Sequence, residues 1–348
     1  MFVSDNVSCV CPEVMRAIDA ANIGDAVAYG DDEASNDLDR AFSGYFETPI
    51  TALPAGCTAA NALALAFAPP RFASIYCHQA AHIETTECGA CEAWPGGSKL
   101  VLLGGERYRI DADTLRSALA RAPRGRPQSA APAVLSLTLG TAAGTVYSLD
   151  QLTSIWRVAH NNGLLVHMDG ARYSNALVAF GCTATGMSWR AGIDVLCYGA
   201  TKNKGKRADG VVIFNRDLST QQLGSLRQRN GQLYSKRRYL SAQLHALIHD
   251  VVAEKNARQT NEMAARLGAG LSQINGARLL FSVEINEIFV FFPESAAANF
   301  SGPGYAATLR NDRHGPHYRF VTAWNSTAAA VDKFVTAASG KAQIGGAA

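Results

Sequence analysis

Six short runs rich in Leu and β-branched residues, at 73–77, 100–103, 133–138, 163–168, 193–198 and 210–214, recur along the middle of the chain. Between and beside them lie longer stretches with helical spacing, at 59–66, 113–120, 149–161 and 232–255. This alternation constrains the fold more than any other feature. Strands joined by helices of this length pair in parallel, and runs apolar on both faces are those that helices cover from both sides. The expectation is an α/β chain with a mostly parallel sheet. Past a helical stretch near 240–275, runs at 278–283, 288–292 and 318–322 read as strands and 326–338 as a last helix. The expected organisation is an arm at 1–15, a large α/β domain at 16–248, a small α+β domain at 249–340 and a disordered tail at 341–348. Residues 296–316, poor in apolar periodicity and rich in Gly, Pro, Asn and Arg, read as a loop or surface excursion.

A chain of 348 residues is long enough for two domains and a large core. Its net charge of +3 is too small to point to nucleic acid or a membrane surface. The first five residues lack the basic start and long apolar stretch of a signal peptide, and the longest apolar run, 62–69, is too short to span a bilayer. The protein is expected to be soluble and cytoplasmic, and its eight cysteines to be reduced thiols. Cys88 and Cys91 form a CxxC, but no second pair lies near in sequence to complete a zinc site, and Cys9 and Cys11 can meet them only in space. His245 and His249 lack the Glu that follows the first His of a hydrolytic zinc site. Both pairs read as structural, and no metal is expected.

The chemistry concentrates in two blocks, 167–172 and 198–203, each at the end of a predicted strand. Asp169 at the carboxyl end of one strand and Lys202 just past the next can converge on one ligand, because α/β sheets bind ligands at that edge. A carboxylate that keeps a ring nitrogen protonated and an amine that forms an imine are what pyridoxal phosphate asks of a protein. Arg172 puts a guanidinium at the rim of such a pocket, or simply forms an ion pair with Asp169. Gly56, Cys57 and Thr58 open a helix and offer backbone N–H groups to a phosphate, or act as a plain cap. His82 can stack on a flat cofactor, exchange protons with substrate, or sit as a satisfied buried histidine. Beyond Lys202 come Lys204, Lys206 and Arg207. Crowded cations and burial lower an amine's pKa and make it nucleophilic. Lys204 and Lys206 read as a solvated basic loop.

Taken together, these blocks resemble the low-specificity L-threonine aldolases of the aromatic amino-acid β-eliminating lyase group. The resemblance runs through 2–6, 28–32, 56–61, 81–90, 144–147, 167–175, 199–203, 229–232 and 319–324, in the family's order and over nearly the whole chain. It implies the aspartate aminotransferase-like fold (fold type I): a large domain with a mostly parallel seven-stranded sheet and a small C-terminal α+β domain. It implies pyridoxal 5'-phosphate as cofactor, with Lys202 as the imine-forming lysine, Asp169 on the pyridine nitrogen and His82 stacked on the ring. Gly56, Cys57 and Thr58 would line the phosphate, and Ser4, Arg172 and Arg319 would grip the substrate carboxylate. Tyr29, on the substrate side, and Arg229, on the cofactor side, fall in blocks that the family places near the active site, partly from a neighbouring subunit. A homo-oligomer, dimer or tetramer, with shared sites follows.

The implied reaction is retro-aldol cleavage of an L-β-hydroxy-α-amino acid to glycine and an aldehyde, with His82 as the candidate base. β-Elimination at a Cβ leaving group and a non-catalytic cofactor-binding homologue are the alternatives. The chain departs from the family pattern at Lys204, where small residues are usual, at Cys57, and over 296–316, which matches no part of it.

Overall fold

The computed structural model describes residues 2–67, 70–123, 125–218, 222–297, 308–312 and 314–340. Seven strands form the larger sheet: β1 (Thr51–Ala55), β2 (Ser74–His78), β3 (Lys99–Leu103), β4 (Pro132–Thr138), β5 (Leu165–Gly170), β6 (Val195–Tyr198) and β7 (Asp209–Ile213). Their order is β1-β7-β6-β5-β4-β2-β3. Neighbours from β3 to β6 pair in parallel, while β7 runs antiparallel to both β6 and β1. All six predicted runs are strands of this sheet. β1 was not expected, because Pro54 interrupts the strand pattern. It lies at the sheet edge, where proline's missing N–H leaves no central ladder bond unmade.

Alternate residues of the central strands enter different cores. Leu196 and Val212 pack with Phe42, Phe46 and Tyr198, whereas Val195 and Val211 pack with Leu53 and Leu63. Period-two alternation between two apolar layers is what burial on both faces requires.

The helical pattern at 232–255 is not one helix. It divides into Arg238–Ile248 and the start of Val252–Ser272, separated by a 3-10 turn at His249–Val251. Asp250 and Val251 there have φ of 50° and 51°. No Gly or Pro marks the break, so packing rather than local propensity sets it. We propose this turn as the boundary between the two domains.

Beyond it a four-stranded antiparallel sheet forms in the order β10-β11-β9-β8, from β8 (Arg278–Leu279), β9 (Glu287–Phe291), β10 (Thr308–Asp312) and β11 (Gly315–Val321). The strand expected at 278–283 is only two residues long. Part of the expected excursion at 296–316 is instead β10, an edge strand whose Leu309 is exposed, so it shows no apolar alternation. Its residues 298–307, like the tail 341–348, lie outside the described residues. Val290, Phe320, Leu267 and Phe334 form the core here, and Phe2 joins them. The expected arm therefore docks on the C-terminal sheet, with Val321 N–H donating to the Phe2 carbonyl at 2.8 Å. A helix, Pro12–Ala21, begins within the arm's last residues.

Candidate active site

Parallel strands deliver their carboxyl ends to one edge, and there a cavity of about 580 Å³ opens between the two sheets. Ser4, His82, Asp169, Arg172, Lys202 and Arg319 all line it. Six of the residues expected from the sequence, from five separate stretches, thus meet in one place.

Asp169 is buried at the end of β5, and its Oδ1 accepts the Ala171 N–H at 3.1 Å. Lys202 follows β6 by four residues and reaches the same cavity; among the described residues its amine has no hydrogen-bond or ion-pair partner. His82 stands at the start of the short helix His82–Thr85. Its Nδ1 lies 2.6 Å from Glu87 Oε1. Glu87 is itself buried and held by the Asn61 amide at 2.8 Å and the Cys91 thiol at 3.0 Å. One ligand atom from each of His82, Glu87 and Asp169 lies within 4.8 Å of the others. The imidazole is therefore fixed beside Asp169 by a buried carboxylate.

The alternative reading of Arg172, an ion pair with Asp169, is not what the structure shows. Arg172 instead meets Asp5 at 3.1 Å and Glu287 at 3.0 Å. Glu287 also lies 3.6 Å from Arg319, whose Nε has no hydrogen-bond partner among the described residues. Burial pushes the Asp5 carboxyl up, but Arg172, Lys202 and Lys204 outweigh it and hold the group below the ordinary carboxylate range. Two guanidiniums, one of them incompletely satisfied, suit a carboxylate ligand.

Lys204 is buried rather than solvated: its Nζ donates to Ser8 Oγ at 3.2 Å and to the Asp5 carbonyl at 3.4 Å. A φ of 82° turns it away from Lys202 and toward the arm. Burial pushes its ammonium down to about 8. Lys206 is exposed, as expected.

Gly56, Cys57 and Thr58 stand at the start of the helix Cys57–Phe67, beside the cavity rather than in its wall. The exposed Cys57 contacts Thr201 and Asp209. Arg207 passes close by, its Nε 3.6 Å from where a Cβ on Gly56 would stand. An eleven-residue helix pointing its N-terminus at a small-residue turn, with an arginine alongside, fits a phosphate. The described residues thus suit each part of pyridoxal phosphate: anion, ring face, ring nitrogen and carbonyl carbon.

Tyr29 and Arg229 are exposed and line no part of the cavity. All eight cysteines are free; Cys91 serves Glu87, and Cys88 is exposed. His245 contacts the Ala34 carbonyl and His249 pairs with Asp250. Sequence reasoning missed Glu87, Asp5 and Glu287. The first two lie inside the blocks 81–90 and 2–6, where their spacing from His82 and Ser4 was the available signal. Glu287 had none.

The beta-eliminating lyase family matches residues 2–295. A low-specificity L-threonine aldolase of Pseudomonas sp. (strain NCIMB 10558) is 37% identical over 95% of this chain and 94% of its own length. The low-specificity L-threonine aldolase of Escherichia coli K12 is 27% identical over 85% of each chain. Among solved structures, a Leishmania major threonine aldolase superposes with a TM-score of 0.89 at 25% identity, covering 97% of this chain and 98% of that one. An SPT structure with PLP shares the fold at a TM-score of 0.73 and 15% identity, over 98% of this chain and 86% of that one. The architecture is fold type I, that of pyridoxal phosphate-dependent enzymes. Sequence match, fold and the gathering of Asp169, Lys202 and His82 agree: the chain belongs to the beta-eliminating lyase family, among the carbon–carbon lyases related to threonine aldolase.

Proposed function

We propose that this protein cleaves L-threonine, L-allo-threonine or related L-β-hydroxy-α-amino acids such as phenylserine to glycine and an aldehyde. One observation carries the reading: a single cavity holds Lys202, Asp169 and His82 together with the arginines Arg172 and Arg319. Lys202 would hold the cofactor through its amine and Asp169 its ring nitrogen, with His82 against the ring. Gly56, Cys57, Thr58 and Arg207 would hold the phosphate. Once bound, pyridoxal phosphate supplies an electron sink for negative charge at Cα.

The protein's own groups do the rest. Arg172 and Arg319, with Ser4 beside them, take the substrate carboxylate and so fix which Cα bond is aligned for cleavage. Because Glu87 holds His82 at Nδ1, Nε2 is left to take the proton of the β-hydroxyl, directly or through a water. Loss of that proton turns the C–O bond into a carbonyl as Cα–Cβ breaks, releasing the aldehyde. A proton returned to Cα balances the one removed and completes glycine.

We further propose a dimer or tetramer in which Tyr29 and Arg229 approach a neighbouring subunit's site. The exposure of Ile23, Val27 and Tyr29 in one stretch supports this. Eight free thiols support a cytoplasmic setting. Among the described residues no helix is long and apolar enough to cross a membrane.

The test is incubation of the holoenzyme with threonine, phenylserine and a cysteine conjugate. Aldehyde plus glycine from the first two is expected. Keto acid and ammonia from the third alone would make the protein a β-eliminating lyase instead. Bound cofactor without any product would make it a non-catalytic homologue.

A further inference from the structure

Most charged side chains around the cavity already have work. Asp5 meets Arg172, and Glu287 stands between Arg172 and Arg319. In the reading above, Asp169 takes the ring nitrogen and Lys202 the carbonyl carbon. Asp312 is engaged as well: its Oδ2 accepts the Tyr108 hydroxyl at 3.0 Å, its Oδ1 accepts the His314 N–H at 2.8 Å, and His317 lies 3.8 Å away. Arg310 is the exception. It is half-buried and lines the cavity, yet among the described residues its guanidinium has no hydrogen-bond or ion-pair partner.

Strand register explains where it stands. β10 and β11 pair antiparallel, with Thr308 opposite Arg319 and Arg310 opposite His317. Cross-strand partners present their side chains to the same face, and residues two apart on a strand share that face about 7 Å apart. Arg310 is therefore one strand repeat along from the arginine of the carboxylate grip, on the same side. The two guanidiniums feel each other: burial is the main cause holding Arg319 below its ordinary range, and the charge of Arg310 adds to it. A planar fork left without an acid partner in a cavity wall suits a second carboxylate. β10 lies within 296–316, the stretch that departs from the family pattern, so this cation belongs to the chain's own part of the cavity.

We infer that Arg310 forms a second anion subsite, and that the cavity takes L-β-hydroxy-α-amino acids whose Cβ substituent ends in a carboxylate. This rests on the aldolase reading above, which places the α-carboxylate on Arg172 and Arg319 and so leaves the Cβ substituent to meet Arg310. Cleavage keeps the same balance: the β-hydroxyl loses its proton, Cα–Cβ breaks, and Cα regains a proton. The aldehyde leaves with its carboxylate attached, so that β-hydroxyaspartate yields glycine and glyoxylate.

Binding of uncleavable amino acids to the holoenzyme isolates the subsite. L-aspartate and L-asparagine share a shape and differ by one charge; L-glutamate and L-glutamine repeat the comparison one carbon farther out. In at least one pair the acid should bind about tenfold more tightly than the amide by calorimetry, the lower end for a hydrogen bond between charged groups because Arg310 is only half-buried. Arg310→Met should erase that ratio, and Arg310→Lys, a charge without the fork, should keep part of it. Acid and amide are compared within each variant, so a general weakening of the fold cancels. Glyoxylate release from β-hydroxyaspartate should fall more in Arg310→Met than acetaldehyde release from threonine. Equal binding of acid and amide in both pairs, or an acid preference that survives Arg310→Met, would overturn the inference. An acid preference lost in Arg310→Met, with no aldehyde from any substrate, would overturn the aldolase reading and leave the anion subsite standing.

Discussion

Lys202 and Lys204 are two positions apart, and their surroundings assign them different work. Lys202 faces the cavity without a partner among the described residues, whereas Lys204 is tied to Asp5 and Ser8. Lys202→Ala should lose the visible absorbance of bound cofactor and nearly all turnover, and Lys204→Met should keep the absorbance; the reverse pattern would sink the assignment. Lys204 also carries a signature in stability. Its folded pKa of about 8 lies below the ordinary value of 10.5, so above about 8 the unfolded chain binds the proton more tightly. Stability should therefore rise with pH from about 8 to about 10.5 and level off beyond, with no contribution below that window. Urea unfolding at a series of pH values should show this rise in the wild type and not in Lys204→Met; parallel curves would refute it. His82 acts at the same scale. With Glu87 fixing Nδ1, His82→Phe should retain cofactor but slow aldehyde release by roughly 10²–10⁴, the range of one acid–base group. Wild-type rates in that variant would remove His82 from the chemistry.

The paired ends of β5 and β6 set Asp169 and the start of the turn that carries Lys202. β5 and β6 pair Asp169 with Cys197 and Gly170 with Tyr198, and just beyond them Gly199 N–H donates to the Gly170 carbonyl at 2.9 Å. The backbones approach so closely that a Cβ on Gly199 would lie 2.3 Å from the Ala171 carbonyl oxygen. Gly199→Ala must push the segment 169–172 away from 199–202. It should cost about 1–3 kcal/mol in thermal unfolding, as overpacking does, and loosen cofactor retention on dialysis. Full retention at unchanged stability would show that the edge is softer than it looks. The same elements explain what was legible beforehand. Asp169, Lys202 and the strands behind them are local patterns: an apolar run, then a polar residue at a fixed distance. Pro54 and Leu309 concealed edge strands because an edge has only one neighbour to satisfy. The break at Asp250–Val251 and the Arg172–Glu287 pair depend on elements far apart in the chain, and no local pattern records them.

At the scale of the whole molecule, residues 2–9 join its parts. Phe2 is buried among Leu267, Phe320 and Phe334, with its ring 5.3 Å from that of Phe334. Ser4 and Asp5 enter the cavity, and the Asp5 carboxylate meets Arg172, two residues past β5, and Asn286, just before β9. Ser8 takes the Lys204 ammonium, and the Cys9 carbonyl accepts the Trp324 indole N–H at 2.9 Å. A segment this short cannot lose one anchor without moving the others. Phe2→Ala removes the anchor farthest from the chemistry. Its cost should lie at the lower end of about 3–5 kcal/mol, because a chain end can shift to fill part of the space. The informative consequence is kinetic. The residues proposed to hold the cofactor end or follow strands of the large sheet, so its absorbance should persist, whereas Ser4 and the Asp5–Arg172 pair should lose their fixed position. KM for the amino acid should then rise more than kcat falls, and saturating substrate should recover most of the rate. A kcat lost without a change in KM would mean that the arm serves the chemical step itself rather than the grip on the substrate carboxylate.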